Sequence, residues 1–86
     1  MTRKIVQFGA PWCASCKAIR PFVEGLATEM GVPFEYVDLD KDPDAGERFA
    51  VRGLPTVLMM KDGIEAGRVA VASQTQIRTV ARGALF

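Results

Sequence analysis

The stretch VQFGAPWCASCKAIRP, residues 6–21, holds both cysteines of the chain, Cys13 and Cys16, two residues apart and directly behind Trp12. Upstream, RKIVQF at 3–8 is a short apolar run of strand type, and GAP at 9–11 breaks it. Downstream, Ile19, Phe22, Val23, Leu26, Ala27 and Met30 recur at three- and four-residue steps. That spacing predicts an amphipathic helix from Cys13 to Met30, ended by Gly31 and Pro33. Pro21 lies inside it, where it removes one backbone hydrogen bond and is expected to kink the helix. The two thiols therefore fall where a strand gives way to a helix.

The pattern continues outward. FEYVDLD, 34–40, reads as a second strand, and DPDAGERFAV, 42–51, as a short helix capped by Asp42 with Pro43 at its first position. GLPTVLMMKDGIEAGRVAV, 53–71, contains two apolar runs joined at KDG, a hairpin signal. Ile77, Val80, Ala81, Ala84 and Leu85 then recur at helical spacing behind a Ser73 cap. The order is β-α-β-α-β-β-α. A strand–helix–strand start implies parallel pairing, and the hairpin adds two antiparallel strands. The expected fold class is α/β: a four-stranded mixed sheet flanked by three helices.

Composition bounds the function. Eighty-six residues suit one domain, 1–86, with 49% of them hydrophobic, too many for a disordered chain. Eleven basic and ten acidic residues leave a net charge of +1 with no basic block. Neither nucleic acid nor an acidic membrane is an expected partner. No apolar run approaches the roughly 18 residues of a membrane span, and MTRKIVQF is too short in its apolar part for a secretory signal. The expectation is a cytoplasmic protein, a monomer, in a reducing compartment where a lone cysteine pair is more often catalytic or metal-binding than structural.

At a helix start, unpaired N–H groups and the helix dipole face the Cys13 sulfur and favour its thiolate, so its pKa should fall below the free value of about 8.5. Cys16, one turn further in, is near enough to close a small ring with it. Ser15, between them, offers a hydroxyl to a nearby sulfur. An inert disulfide is the alternative, although so small a ring constrains the unfolded chain little. A zinc or iron–sulfur site would need a second chain or outside ligands, because there is no histidine and no third cysteine. Without histidine, Cys–His and Ser–His catalysis are excluded.

With these residues the sequence resembles the thioredoxin family along nearly its whole length. VQFGAPWCASCKAIRP is similar to the family's strand–WCxxC–Lys–helix segment, helix proline included as Pro21. VDLDKDPDAGERFAVRGLPTVLMMKDG, 37–63, is similar to its second half, with RGLPT at the place of the family's cis-proline loop. The resemblance implies a thiol–disulfide oxidoreductase that reduces protein disulfides without a cofactor. Cys13 would be the attacking thiolate and Cys16 the resolving thiol. Trp12 would flank the site, and Pro55 would sit beside it in cis, leaving the Leu54 backbone free to pair with an extended substrate. Lys17 would support the thiolate, or serve only as a solvated helix charge. Implied partners are disulfide-containing client proteins, ribonucleotide reductase among them by family analogy, and a thioredoxin-reductase-type flavoenzyme.

The sequence departs from the family in several places. The family usually has an extra strand and helix before the equivalent of Ile5, so this is a minimal version. Its size is closer to glutaredoxins and to compact redoxins encoded by some bacterial viruses. Ala14-Ser15 stands where thioredoxins most often carry Gly-Pro. Gln7 replaces the family's buried acid, and Tyr36 replaces that acid's lysine partner. The amide oxygen of Gln7 could accept a hydrogen bond from the resolving thiol but cannot take its proton. KDGIEAGR does not reproduce the Gly-Gly-Asp-like turn with which glutaredoxins recognise glutathione, which argues for electrons from a thioredoxin-reductase-type flavoenzyme instead of glutathione. Two other functions remain open: a glutathione-linked electron donor, and a docking module that uses the patch around Trp12 and Leu54.

Overall fold

The computed structural model describes residues 2–71 and 73–86. Its elements are β1 (Arg3–Gly9), α1 (Ala14–Met30), β2 (Phe34–Asp38), α2 (Pro43–Arg48), β3 (Thr56–Lys61), β4 (Ile64–Ala70) and α3 (Gln74–Leu85). The sheet order is β2-β1-β3-β4, with β1 parallel to β2 and antiparallel to β3, and β3 antiparallel to β4. The predicted order and the mixed four-stranded sheet are both present. Among the described residues no helix is long and apolar enough to cross a membrane.

β1 is buried from Ile5 through Gly9 because it has a strand on each side and helices on both faces. Side chains alternate between those faces. Ile5 joins Val57, Met59 and Val69 beneath Ile19, Val23 and Leu26 of α1 and Ile77, Ala81 and Leu85 of α3. Val6 and Phe8 join Leu58 on the other face, where α2 contributes Ala45 and the partly buried Val37, Leu39 and Phe49 pack alongside. Each fully buried Val, Leu, Ile, Phe or Met among these contributes roughly 1.5–3 kcal/mol. Gln7 shares the α1 face with Ile5, which puts a polar side chain directly under that helix.

Local chemistry sets the boundaries. α1 runs unbroken through Pro21 as a single helix. At its end the Gly31 and Val32 N–H groups donate to the Thr28 and Ala27 carbonyls. β2 stops at Asp38, two residues before the expected end. There the Leu39 N–H turns to the Gly9 carbonyl and the Asp40 N–H to Asp38 Oδ1. α2 likewise stops at Arg48 and not at Val51. The Ala50 and Val51 N–H groups fold back to Glu47 and Gly46, with Ala50 at φ +53°. This is a Schellman ending that carries alanine where glycine is usual. The KDG hairpin forms as predicted, with Asp62 and Gly63 both at positive φ and Lys61 opposite Ile64. Ser73 and Gln76 cap α3 reciprocally.

Candidate active site

The end of β1 delivers Cys13 to the N-cap position of α1, with Cys16 in the first turn. The two are joined by a disulfide with Cα atoms 5.3 Å apart. The Cys16 N–H donates to Cys13 Sγ at 3.2 Å, so this sulfur takes the place that a serine or aspartate oxygen holds at an ordinary helix start. Ser15 Oγ lies 3.5 Å from the same sulfur. Cys16 is fully buried, while Cys13, at 7% exposure, edges an open groove of about 700 Å³. Sulfur held against an open helix N-terminus is stabilised as thiolate once the disulfide opens. A pair placed in this way can be opened and closed by thiol–disulfide exchange.

Trp12 forms one wall of the groove. It is 71% exposed, and its indole N–H donates to Asp40 Oδ1 at 3.3 Å. Leu54 forms the other wall and packs on Ala10, Cys13 and Cys16. The Leu54–Pro55 peptide is cis. The Pro55 carbonyl accepts from Val71, and the Gly53 carbonyl accepts from the Thr56 hydroxyl. Among the described residues no backbone hydrogen bond occupies Leu54. The structure thus brings Trp12, Cys13, Ser15, Cys16, Leu54 and Pro55 together.

Among the described residues the Lys17 side chain makes no hydrogen bond to either sulfur. Lys17 is exposed on α1, lines a shallow cleft with Arg20, Pro21 and Glu24, and touches Cys13 through its backbone N–H. Gln7 does reach the site, by a different atom from the one expected. Its Nε2 donates to the Cys16 carbonyl at 3.0 Å, and its Oε1 is buried without a partner among the described residues. Exchanging the two amide atoms would set oxygen against a carbonyl, so the assignment follows from the chemistry.

Three functional neighbours escaped the sequence reading. Asp40 anchors Trp12, Arg52 lines the groove, and Arg68 braces the loop that leads to Leu54. The Arg68 guanidinium donates to Ala50 O at 3.0 Å and to Phe49 O, and it forms an ion pair with Glu65 at 2.8 Å. Its hydrogen bonds to Glu65 hold that carboxyl below its ordinary value and Arg68 above its own, against the opposing effect of burial. Among the described residues no group of three or more acidic, cysteine or histidine side chains is gathered to hold a metal.

The Thioredoxin family model matches residues 2–82. The chain is 38% identical to the thioredoxin of Chlamydia trachomatis over 65 residues, which is 74% of this chain and 64% of that protein. It is 33% identical to the chloroplastic thioredoxin M4 of Arabidopsis thaliana over 82 residues, 91% of this chain and 42% of that protein. It therefore spans about two-fifths to two-thirds of the length of these relatives. The crystal structure of Fasciola hepatica thioredoxin superposes with a TM-score of 0.88 at 36% identity, covering 96% of this chain and 81% of that one. Matched in sequence from Thr2 to Arg82 and in fold over nearly every residue, the chain belongs to the thioredoxin family.

Proposed function

We propose that the protein is a thiol–disulfide oxidoreductase that reduces disulfides in client proteins. The reading is carried by one observation: Cys13 Sγ sits on the N-terminal N–H of α1 at the groove edge, disulfide-bonded to a Cys16 with no exposed surface. In the dithiol form the Cys13 thiolate attacks a client sulfur. A mixed disulfide forms and the client's other sulfur leaves as thiolate. Cys16 then bonds to Cys13 Sγ, and the remaining client sulfur is expelled. The exposed Trp12 face and the unoccupied Leu54 backbone receive an extended client segment around its cysteine.

Family membership supports a thioredoxin-reductase-type flavoenzyme as the source of electrons. The KDG turn carries no weight in the choice against glutathione. It lies at the far end of the sheet, where the Thr2 N–H bonds Asp62, and the segment beside Pro55 is Val71. The deciding assay compares reduction of a protein disulfide driven by NADPH with a thioredoxin reductase against reduction driven by glutathione with glutathione reductase. Turnover in the first and not the second supports this reading. Turnover only with glutathione supports the glutaredoxin-like alternative. No turnover in either, with no mixed disulfide trapped by Cys16→Ser, supports a docking module.

A further inference from the structure

We propose that Tyr36 carries the proton of the buried Cys16 thiol to solvent when Cys16 resolves a mixed disulfide. The proposal rests on the exchange chemistry above. Resolution removes a hydrogen from Cys16, and Cys16 has no exposed surface through which to lose it. Gln7, the polar side chain bonded beside it, is an amide. Its unpartnered Oε1 can accept a hydrogen bond from the S–H that appears on reduction, but it cannot take the proton. Another group has to connect the thiol with water.

Tyr36 is placed for that task. It pairs with Gln7 across the parallel β1–β2 ladder, so both side chains project beneath α1. Its hydroxyl lies against the bare α-carbon of Gly9. A Cβ at Gly9 would overlap that oxygen, would stand 2.7 Å from the phenol Cζ, and would be only 3.2 Å from the Cys16 Cβ. Glycine at position 9 is thus what lets the phenol reach the side of Cys16. The ring is pinned from above by the Arg20 guanidinium, 4.1 Å from its centroid. Tyr36 lines an open polar cleft of about 420 Å³, where the charged groups facing it are Arg20, Glu35, Asp38, Lys41 and Asp42. The hydroxyl thus lies in the neighbourhood of the Cys16 β-carbon, and the same residue borders the open cleft.

In the step, the Cys16 S–H hydrogen passes to the phenol oxygen while the phenol hydrogen passes to a water molecule in the cleft. The Cys16 sulfur forms its bond to Cys13 Sγ, the Cys13–client bond breaks, and the client leaves as thiolate and is protonated by solvent. The phenol ends as it began.

The test mixes reduced protein with one equivalent of dithiobis(nitrobenzoate) and follows the absorbance of the released aromatic thiolate. The first release reports attack by Cys13 and the second reports resolution by Cys16. Tyr36→Phe keeps the ring beneath Arg20 and removes only the hydroxyl. It should leave the first release unchanged and slow the second at least about tenfold near neutral pH. The slowed phase should then rise about tenfold per pH unit as hydroxide takes over, against a flatter wild-type profile. An unchanged second phase, or one slowed at every pH by the same factor, overturns the proposal. Failure of the underlying exchange reading looks different: Cys13→Ser would then retain the fast first release.

Discussion

The Gln7 amide donates to the Cys16 carbonyl at 3.0 Å and leaves its own oxygen buried and unpaired among the described residues. The side chain is therefore a support for the first turn of α1 and adds no charge behind the thiols. Replacing it by Asp removes the donor and places a carboxyl in a fully buried position, where desolvation favours its neutral form. We expect Gln7→Asp to lower unfolding stability by about 1–3 kcal/mol. We also expect it to raise the apparent pKa of Cys13 and to turn its single titration into two coupled steps. Thiolate absorbance against pH for both proteins gives the answer, and superimposable curves would contradict the placement.

Ser15 Oγ, 3.5 Å from Cys13 Sγ, can donate to a thiolate but gains little from a disulfide sulfur. It should favour the dithiol and raise the reduction potential above the roughly −270 mV of thioredoxin, while leaving it below about −180 mV. Ser15→Ala should move the potential to a more negative value and raise the Cys13 pKa. Equilibration of both proteins against a glutathione buffer measures the shift. A more positive potential in the alanine variant would contradict the donor role.

Much of this architecture is legible in the sequence because its signals are local. The strand-to-helix step around Cys13, the Asp42 and Ser73 caps and the KDG turn each lie within a few residues of their partners. What stays hidden depends on distant or atypical partners. Arg68 reaches carbonyls 18 and 19 residues away, and Asp40 reaches Trp12 across 28. The two Schellman endings show the contrast: Gly31 announces the end of α1, whereas Ala50 gives no such sign for α2. Relieving that left-handed alanine makes a direct check. Ala50→Gly is expected to raise stability by about 1 kcal/mol in urea unfolding. A loss of stability would mean that the backbone there is not left-handed.

Arg68 bridges Glu65 and the carbonyls of Phe49 and Ala50, fixing the end of α2 from which the Leu54 loop departs. Arg68→Ala should cost about 2 kcal/mol, and lysine should not restore it because its point charge lacks the planar fork. The ion pair alone is partly exposed and contributes less than about 1 kcal/mol. Glu65 is held below its ordinary value near 4.5, so its contribution is complete above that pH and fades as pH falls through the lowered value. Urea midpoints of wild type and Glu65→Gln should therefore differ at pH 7 and converge in acid. A gap that persists at low pH would assign the effect to packing.

The division of labour between the two cysteines is tested most directly by alkylating the fully reduced protein with iodoacetamide at pH 7 and reading each site by mass spectrometry over time. Cys13, at the groove edge and on the helix N-terminus, should be modified much faster than Cys16, which has no exposed surface. Equal rates at the two positions, or faster modification of Cys16, would contradict the assignment of Cys13 as the attacking thiolate.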